Sequence, residues 1–157
     1  MINKEETDIL VIGSGLAGAV AALTAAEENK KVTLITSSDT LLSGNTPWAQ
    51  GGIAYSKKRK SQEKFKADIY GAGTHNNQEN AVNQLVNMGP KLIEELLINK
   101  IETPFERNSD GKLMFTSEAA HSEKRIIHCK DTTGLTIHQQ IIDKLIHHPK
   151  IIIYTQN

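Results

Sequence analysis

Apolar residues fall into two rhythms along this chain. Short, nearly all-apolar runs stand at residues 8–12 (DILVI), 32–36 (VTLIT) and 150–155 (KIIIYT). Runs of this kind predict parallel strands buried on both faces. Between the first two lies LAGAVAALTAAEEN, residues 16–29. Alanine is the best helix former, and the small side of Gly18, Ala19, Ala21 and Ala22 would let a helix press closely on a sheet. Strand, helix and strand within about 30 residues make a βαβ unit with a right-handed crossover. The second rhythm has helical spacing. It predicts helices over 78–88 and 90–99, interrupted at Gly89-Pro90, with Val82, Leu85, Val86, Leu92, Ile93, Leu96 and Leu97 as core. It predicts another over 134–148, with Ile137, Ile141, Ile142, Leu145 and Ile146 on one face and Pro149 as the stop. Residues 65–70 continue a helix as far as Gly71 and Gly73. Residues 104–115 predict a small β-hairpin around Asn108-Ser109-Asp110-Gly111, since Asp-Gly favours reversal. The basic run 56–64 (SKKRKSQEK) reads as a solvated loop or helix start before it reads as a phosphate-facing patch. The fold class is therefore α/β, with a Rossmann-like parallel sheet, helical segments and a small hairpin.

Gly13-Ser14-Gly15-Leu16-Ala17-Gly18 follows the first strand and opens the first helix. In that context G-x-G-x-x-G points to a dinucleotide. The first glycine permits the tight turn, the second leaves room for a pyrophosphate, and the third allows close helix–strand packing. The helix N-terminus adds free N–H groups and partial positive charge. An ordinary NAD site places Asp or Glu at the end of the second strand. Here that place holds Thr36, Ser37 and Ser38, with Asp39 displaced into the loop, which argues against an ordinary NAD dehydrogenase.

A second unusual stretch, SGNTPWAQGGIA, spans residues 43–54. The bare backbone at Gly51-Gly52 can approach a flat ring or a phosphate. Gln50, Asn45 and Thr46 add short polar groups, and Trp48 either covers an aromatic surface or packs as core. Pro47 and Ala49 complete the bend. A loop after the second strand lies near the C-terminal edge of the sheet, where a bound dinucleotide would continue.

Together, DILVIGSGLAG and SGNTPWAQGGIA resemble the flavoprotein group that includes fumarate reductase, succinate dehydrogenase and L-aspartate oxidase. A third block, SEAAHSEKRIIHCKDTTG at 117–134, is similar to the E-G-G-H-S-x-x-R-I-x-H-x-x-D-x-T-G segment of L-aspartate oxidases. Glu118, His121, Ser122, Arg125, Ile126, His128, Asp131, Thr133 and Gly134 match it, while Ala119 and Ala120 replace its two glycines. The resemblance covers essentially the whole chain. It implies FAD as cofactor, held by Ser14–Ala17 and Asn45–Gly52, with Thr36 and Ser37 near the adenosine ribose. Asn45 stands where succinate dehydrogenases and many fumarate reductases carry the histidine that bonds to flavin, so the resemblance implies non-covalent FAD. Glu118 matches the acidic residue that orients the substrate amine. The family passes a hydride from L-aspartate to FAD, giving iminoaspartate, with oxygen or fumarate as final acceptor. The product enters de novo NAD synthesis, where quinolinate synthase uses it.

Relatives of this kind are roughly three times as long. The expectation is an N-terminal part, residues 1–157, of an incomplete FAD-binding domain, without the capping domain and the C-terminal helical domain. Alone it is expected to bind FAD weakly or not at all and to oxidise no aspartate. The strand at 150–155 is expected to find its neighbours in residues beyond Asn157. Three alternatives stay open: a fragment of a fumarate reductase or succinate dehydrogenase type flavoprotein, a free-standing nucleotide-binding module without catalysis, or a non-functional remnant.

Composition changes this picture little. The 157 residues suffice for one domain with a core. Eighteen basic and 18 acidic side chains cancel, so no global field favours nucleic acid or an anionic membrane. No apolar run approaches the roughly 20 residues of a membrane span. Residues 1–7 are charged, without the apolar core of a signal segment. The single cysteine, Cys129, excludes an internal disulfide and suits a cytoplasmic setting. No thiol nucleophile is expected, since Cys129 lacks a base in view. His121 and His128 lie in the matched block and are read as loop or core residues before substrate-site ones. His147-His148 complement a helix dipole, His75 and His138 match nothing, and no spacing makes a zinc site.

Overall fold

The computed structural model describes residues 6–118 and 120–156. The charged start at 1–5, the substitution at Ala119 and the terminal Asn157 lie outside the described residues. The chain divides into two units, Met1–Ala49 with Gly134–Asn157, and Gln50–Thr133.

The first unit holds the predicted βαβ element. Strand β1 (Ile9–Ile12) leads into α1 (Leu16–Glu27) and then β2 (Val32–Ile35). Alanine at Ala19, Ala22 and Ala26, with Leu23, forms the buried stripe of α1 at helical spacing. Ala21, counted with the small face from sequence, is exposed. The helix ends on Asn29 in the left-handed region, φ 70°. Its N–H reaches the Ala26 carbonyl and that of Lys30 reaches Ala25, which satisfies the last carbonyls.

The third strand of this sheet, Ile151–Tyr154, follows the helix Thr133–Ile146. It pairs in parallel with β2, so one of its edges finds its neighbour inside the chain. The sheet order places β2 in the centre. Register aligns Ile9, Val32 and Ile151 in one row and Leu10, Thr33 and Ile152 in the next. Alternation puts these rows on opposite faces. Val32 and Leu34 are buried on the face to which α1 belongs. On the opposite face Leu10 is 54% and Ile12 is 77% exposed. The expectation that both faces are buried therefore fails for β1. An all-apolar run reports that a strand can be covered twice, not that both covers are present. The helix Thr133–Ile146 buries Ile137, His138, Ile141, Ile142 and Leu145, whereas Ile146, expected in its core face, is exposed.

The second unit begins with β3 (Ile53–Ala54), antiparallel to β4 (Ile126–Ile127). The helix α2 (Arg59–Ala72) absorbs the basic run and ends at Gly73. The helix α3 (Glu79–Leu92) runs without interruption through Pro90 and widens into a π-helical stretch at Ile93–Lys100. The predicted break at Gly89-Pro90 is thus absent. A proline inside a helix costs about 3 kcal/mol. Here Pro90 is itself buried, as are Val82 and Val86 of the same helix. Leu85 and Leu92, expected as core, are each 54% exposed. Phe65, Val82 and Val86 form the core cluster, with Ala54, Ile69 and Tyr70 against it. Each fully buried aliphatic side chain contributes about 1.5–3 kcal/mol. The predicted reversal at Asn108–Gly111 is present: Gly111 has φ 76°, Asn108 N–H donates to the Lys112 carbonyl, and Lys112 N–H donates to Asn108 Oδ1. We number the last helix α4 and the last strand β5. No helix among the described residues is long and apolar enough to cross a membrane.

Candidate dinucleotide site

The C-terminal end of β1 turns into α1 through Gly13, whose φ of 103° suits glycine. Its N–H bonds the Ile35 carbonyl at 2.8 Å, which ties the turn to the end of β2. A Cβ on Gly18 would lie 2.1 Å from the Gly13 carbonyl oxygen. The third glycine of the motif is therefore required by backbone approach. At the second, Gly15 caps α1 without a side-chain hydrogen bond, and no acidic residue occupies the first turn. Leu16 and Ala17 follow, and Ala17 is exposed. This leaves the helix N-terminus with about half an elementary charge of positive potential and first-turn amides that lack intrahelical acceptors.

The turn Thr46-Pro47-Trp48 is a single 3-10 turn. Trp48 N–H bonds the Asn45 carbonyl and Ala49 N–H bonds that of Thr46, both at 3.2 Å. Thr46 reaches the dinucleotide turn directly: Leu16 N–H donates to its Oγ1 at 3.1 Å. The same oxygen would sit 3.6 Å from a Cβ on Gly15. The two motifs, 30 residues apart, thus meet at the N-terminus of α1. The turn also seats on α4, where Gly134 donates to the Ala49 carbonyl at 3.0 Å. A Cβ on Gly134 would come within 2.2 Å of the Thr46 carbonyl oxygen. Trp48 is 81% exposed, which discards its reading as core.

Beneath the turn lies a residue that motif reading missed. His138 is fully buried, and its Nε2 lies 2.7 Å from the Ser14 carbonyl oxygen. A carbonyl only accepts, so Nε2 carries the proton. Ser14 itself is buried, and its hydroxyl finds no partner among the described residues. The signal was a histidine on the apolar face of α4, flanked by Ile137 and Ile141. Thr36 follows the central strand, donating its N–H to Tyr154 at 3.0 Å, while its hydroxyl accepts from Ser38 N–H. Ser37 beside it is exposed. The displaced Asp39 accepts a hydrogen bond from the Ser38 hydroxyl.

In the second unit, Gln50, Gly51 and Gly52 lead into β3. Gly51 has φ 72°, and a Cβ there would lie 2.5 Å from Glu118 Oε1. The carboxylate of Glu118 therefore rests against bare backbone, and Glu118 is exposed. A Cβ on Gly52 would meet the Ile127 carbonyl oxygen at 2.3 Å. Thr133 locks this strip: its hydroxyl donates to the Gly51 carbonyl at 2.7 Å and accepts from Cys129 N–H at 3.0 Å.

The matched block also builds a buried ion pair. Arg125 is 1% exposed, bonds Asp68, and lies 5.0 Å over the Phe65 ring. Its Nη1 also donates to His121 Nδ1 at 2.9 Å, which fixes His121 as a member of this network. Burial opposes ionisation of Asp68, but hydrogen bonds from Arg125 and from the Ser122 N–H and hydroxyl prevail and hold its carboxyl below the usual range. His128 Nε2 stands 3.9 Å from Glu106. Burial, then the nearby Glu106 charge, pushes the Cys129 thiol up, which suits no nucleophile. No cluster of metal-binding side chains occurs among the described residues.

Comparison with known proteins gives a consistent result. The family described as "FAD binding domain" matches residues 8–156. The L-aspartate oxidase of Halobacterium salinarum is 38% identical over 134 residues, covering 85% of this chain and 26% of that protein. That of Clostridium acetobutylicum is 34% identical over 148 residues, covering 94% and 33%. The chain thus spans about a quarter to a third of the length of these relatives. The fold of the Mycobacterium smegmatis Sdh1 complex matches with a TM-score of 0.86 at 24% identity, over 99% of this chain and 28% of that one. An E. coli quinol fumarate reductase FrdA matches at 0.84 and 22% identity, over 99% and 26%.

Proposed function

The chain belongs to the FAD-binding domain family, whose cofactor is FAD, and on that premise we propose that it forms the first part of the flavin site of an L-aspartate oxidase. The observation that carries this reading is the hydrogen bond from Leu16 N–H to Thr46 Oγ1, which brings the bend at Thr46 onto the glycine turn. The residues present fit the group. The Ser14 hydroxyl, without a partner among the described residues, the α1 N-terminus with no acidic residue in its first turn, and the glycine at position 15 offer donors and room to a pyrophosphate. The sequence likeness to L-aspartate oxidases supports the specific substrate.

Held by these residues, FAD would supply the hydride acceptor for oxidation of L-aspartate to iminoaspartate, with oxygen or fumarate as the final electron acceptor. This chain's own residues bind and orient. The amides of Gly15, Ala17 and Gly18 and the α1 dipole offset pyrophosphate charge, while the Leu16 amide is held by Thr46. Thr46 Oγ1 already accepts from Leu16, so its proton is available to a phosphate oxygen. Thr36 and Ser37 attend the ribose. Asn45–Gly52 flank the remaining cofactor, and the amide of Asn45 forms no covalent flavin bond. The Glu118 carboxylate pairs with the substrate ammonium. The full enzyme then feeds iminoaspartate to quinolinate synthase for NAD synthesis in the cytoplasm, a setting that a single buried cysteine suits.

A graft tests this reading. Residues 8–156 replace the matching segment of the Clostridium acetobutylicum L-aspartate oxidase. The chimera is expected to release peroxide with L-aspartate, to lose it with Glu118→Gln through a raised KM, and to yield free FAD on acid precipitation. A chimera that binds FAD yet reduces fumarate or oxidises succinate in preference to aspartate would move the assignment to the dehydrogenase branch. A flavin that stays with the precipitate would overturn the non-covalent assignment.

A further inference from the structure

A second site lies entirely within the second unit. A cleft of about 270 Å³ opens between β3, the start of α2 and the segment before β4. Its walls carry Lys57, Lys58, Lys124 and Arg125, and no acidic side chain lines it. The helix α2 opens here with Lys58 as an uncapped N-cap and no acidic residue in its first turn. The amides of Arg59 and Lys60 have no intrahelical acceptor, as in any first turn. The floor supplies an independent observation. Ser56 is 4% exposed and its hydroxyl has no partner among the described residues. Arg125 is 1% exposed, and its Nε and Nη2 make no hydrogen bond. Three donors without acceptors therefore sit under a cationic mouth. A buried donor left unmade costs about 1–3 kcal/mol. The arrangement asks for an acceptor rich in oxygen.

Part of the charge is already matched. Lys57 pairs with Glu94, and Arg125 Nη1 with Asp68. Glu123, the nearest carboxylate, is taken by Lys64 and by the Ser61 hydroxyl and stands 3.7 Å from Arg125 Nη2. Lys58 and Lys124 remain exposed at the rim. The rings of Tyr55 and Phe115 are stacked, 6.3 Å between centroids at 7°, and Phe115 is 40% exposed beside the cations.

We propose that this cleft binds the phosphoryl group of a small phosphate ester, through the α2 N-terminus, Lys58, Lys124 and the Ser56 hydroxyl, with Phe115 against the group that carries it. This site is separate from the turn at residues 13–18, and its test does not depend on flavin or on aspartate oxidation.

The full chain, labelled with nitrogen-15, is titrated with inorganic phosphate, AMP and adenosine at constant ionic strength. Saturable shifts of the amides of residues 56–61 and 124–125 are expected with phosphate and AMP, stronger with AMP and absent with adenosine. Lys58→Glu with Lys124→Glu is expected to weaken both by about tenfold or more, since both exposed cations contact the anion. Ser56→Ala carries the sharpest expectation. It should weaken phosphate binding several-fold while leaving the unliganded melting temperature unchanged or raised, because the hydroxyl has no partner to lose. A serine serving only the fold would lower the melting temperature and leave binding intact, and that result overturns the proposal. So do shifts confined to residues 13–18, or shifts untouched by the paired lysine substitutions.

Discussion

Asp68 and Arg125, 57 residues apart, form the most demanding pair in the second unit. Arg125 was legible as a matched position, but its partner lay in a helix with no motif, so only folding could join them. Asp68→Asn removes the carboxylate that hydrogen-bonds the buried guanidinium, leaving only the looser Glu123 contact, and should destabilise the chain by about 3–5 kcal/mol in urea unfolding near neutral pH. The sign of its pH dependence follows from the lowered carboxyl of Asp68. The ionised pair contributes fully above the ordinary Asp value of about 3.9 and loses its contribution as pH falls through the lower folded value. The gap between the native chain and Asp68→Asn should therefore narrow in acid; a constant gap down to about pH 2 would refute the assignment. His138 makes a similar case. His138→Leu removes the donor to the Ser14 carbonyl and should cost about 1–3 kcal/mol. His138→Gln, which restores an N–H, should recover part of it and of FAD affinity. A Gln variant no better than Leu in both measurements would count against the hydrogen bond.

Elements repeat this division between local and distant causes. The βαβ unit was readable because period, alanine content and glycine spacing all act within a few residues. The path of α3 was not. Proline opposes helix locally, yet α3 continues through a buried Pro90. Where glycines answer to backbone contact, substitutions should be severe. Gly18→Ala sets a methyl 2.1 Å from the Gly13 carbonyl oxygen. Separation of α1 from β1 should cost about 1–3 kcal/mol, measured by thermal unfolding. Gly134→Ala drives against the Thr46 carbonyl and the Ala49 side chain. It should displace the Thr46–Trp48 turn and weaken FAD binding more than it lowers the melting temperature. Equal loss in both would mean that the turn is not part of the flavin site.

At the scale of the whole molecule, one face of the parallel sheet shows Leu10, Ile12, Ile152 and Tyr154 at 45–77% exposure. A contiguous apolar face of this kind favours association. The purified chain should self-associate with rising concentration in sedimentation, and Leu10→Lys with Ile152→Lys should suppress this without lowering the melting temperature. Unchanged association would place the sticky surface elsewhere. Parallel-sheet membership, the dinucleotide turn and the flavin resemblance were all present in the order of residues, because each depends on local periodicity or on a glycine at a fixed offset. The pairing of β5 with β2, the open face of β1, the histidine beneath Ser14 and the Asp68–Arg125 pair depend on contacts between segments distant in sequence. Such contacts are decided by which surfaces gain most from leaving water together, a sum over the folded chain that no single stretch contains.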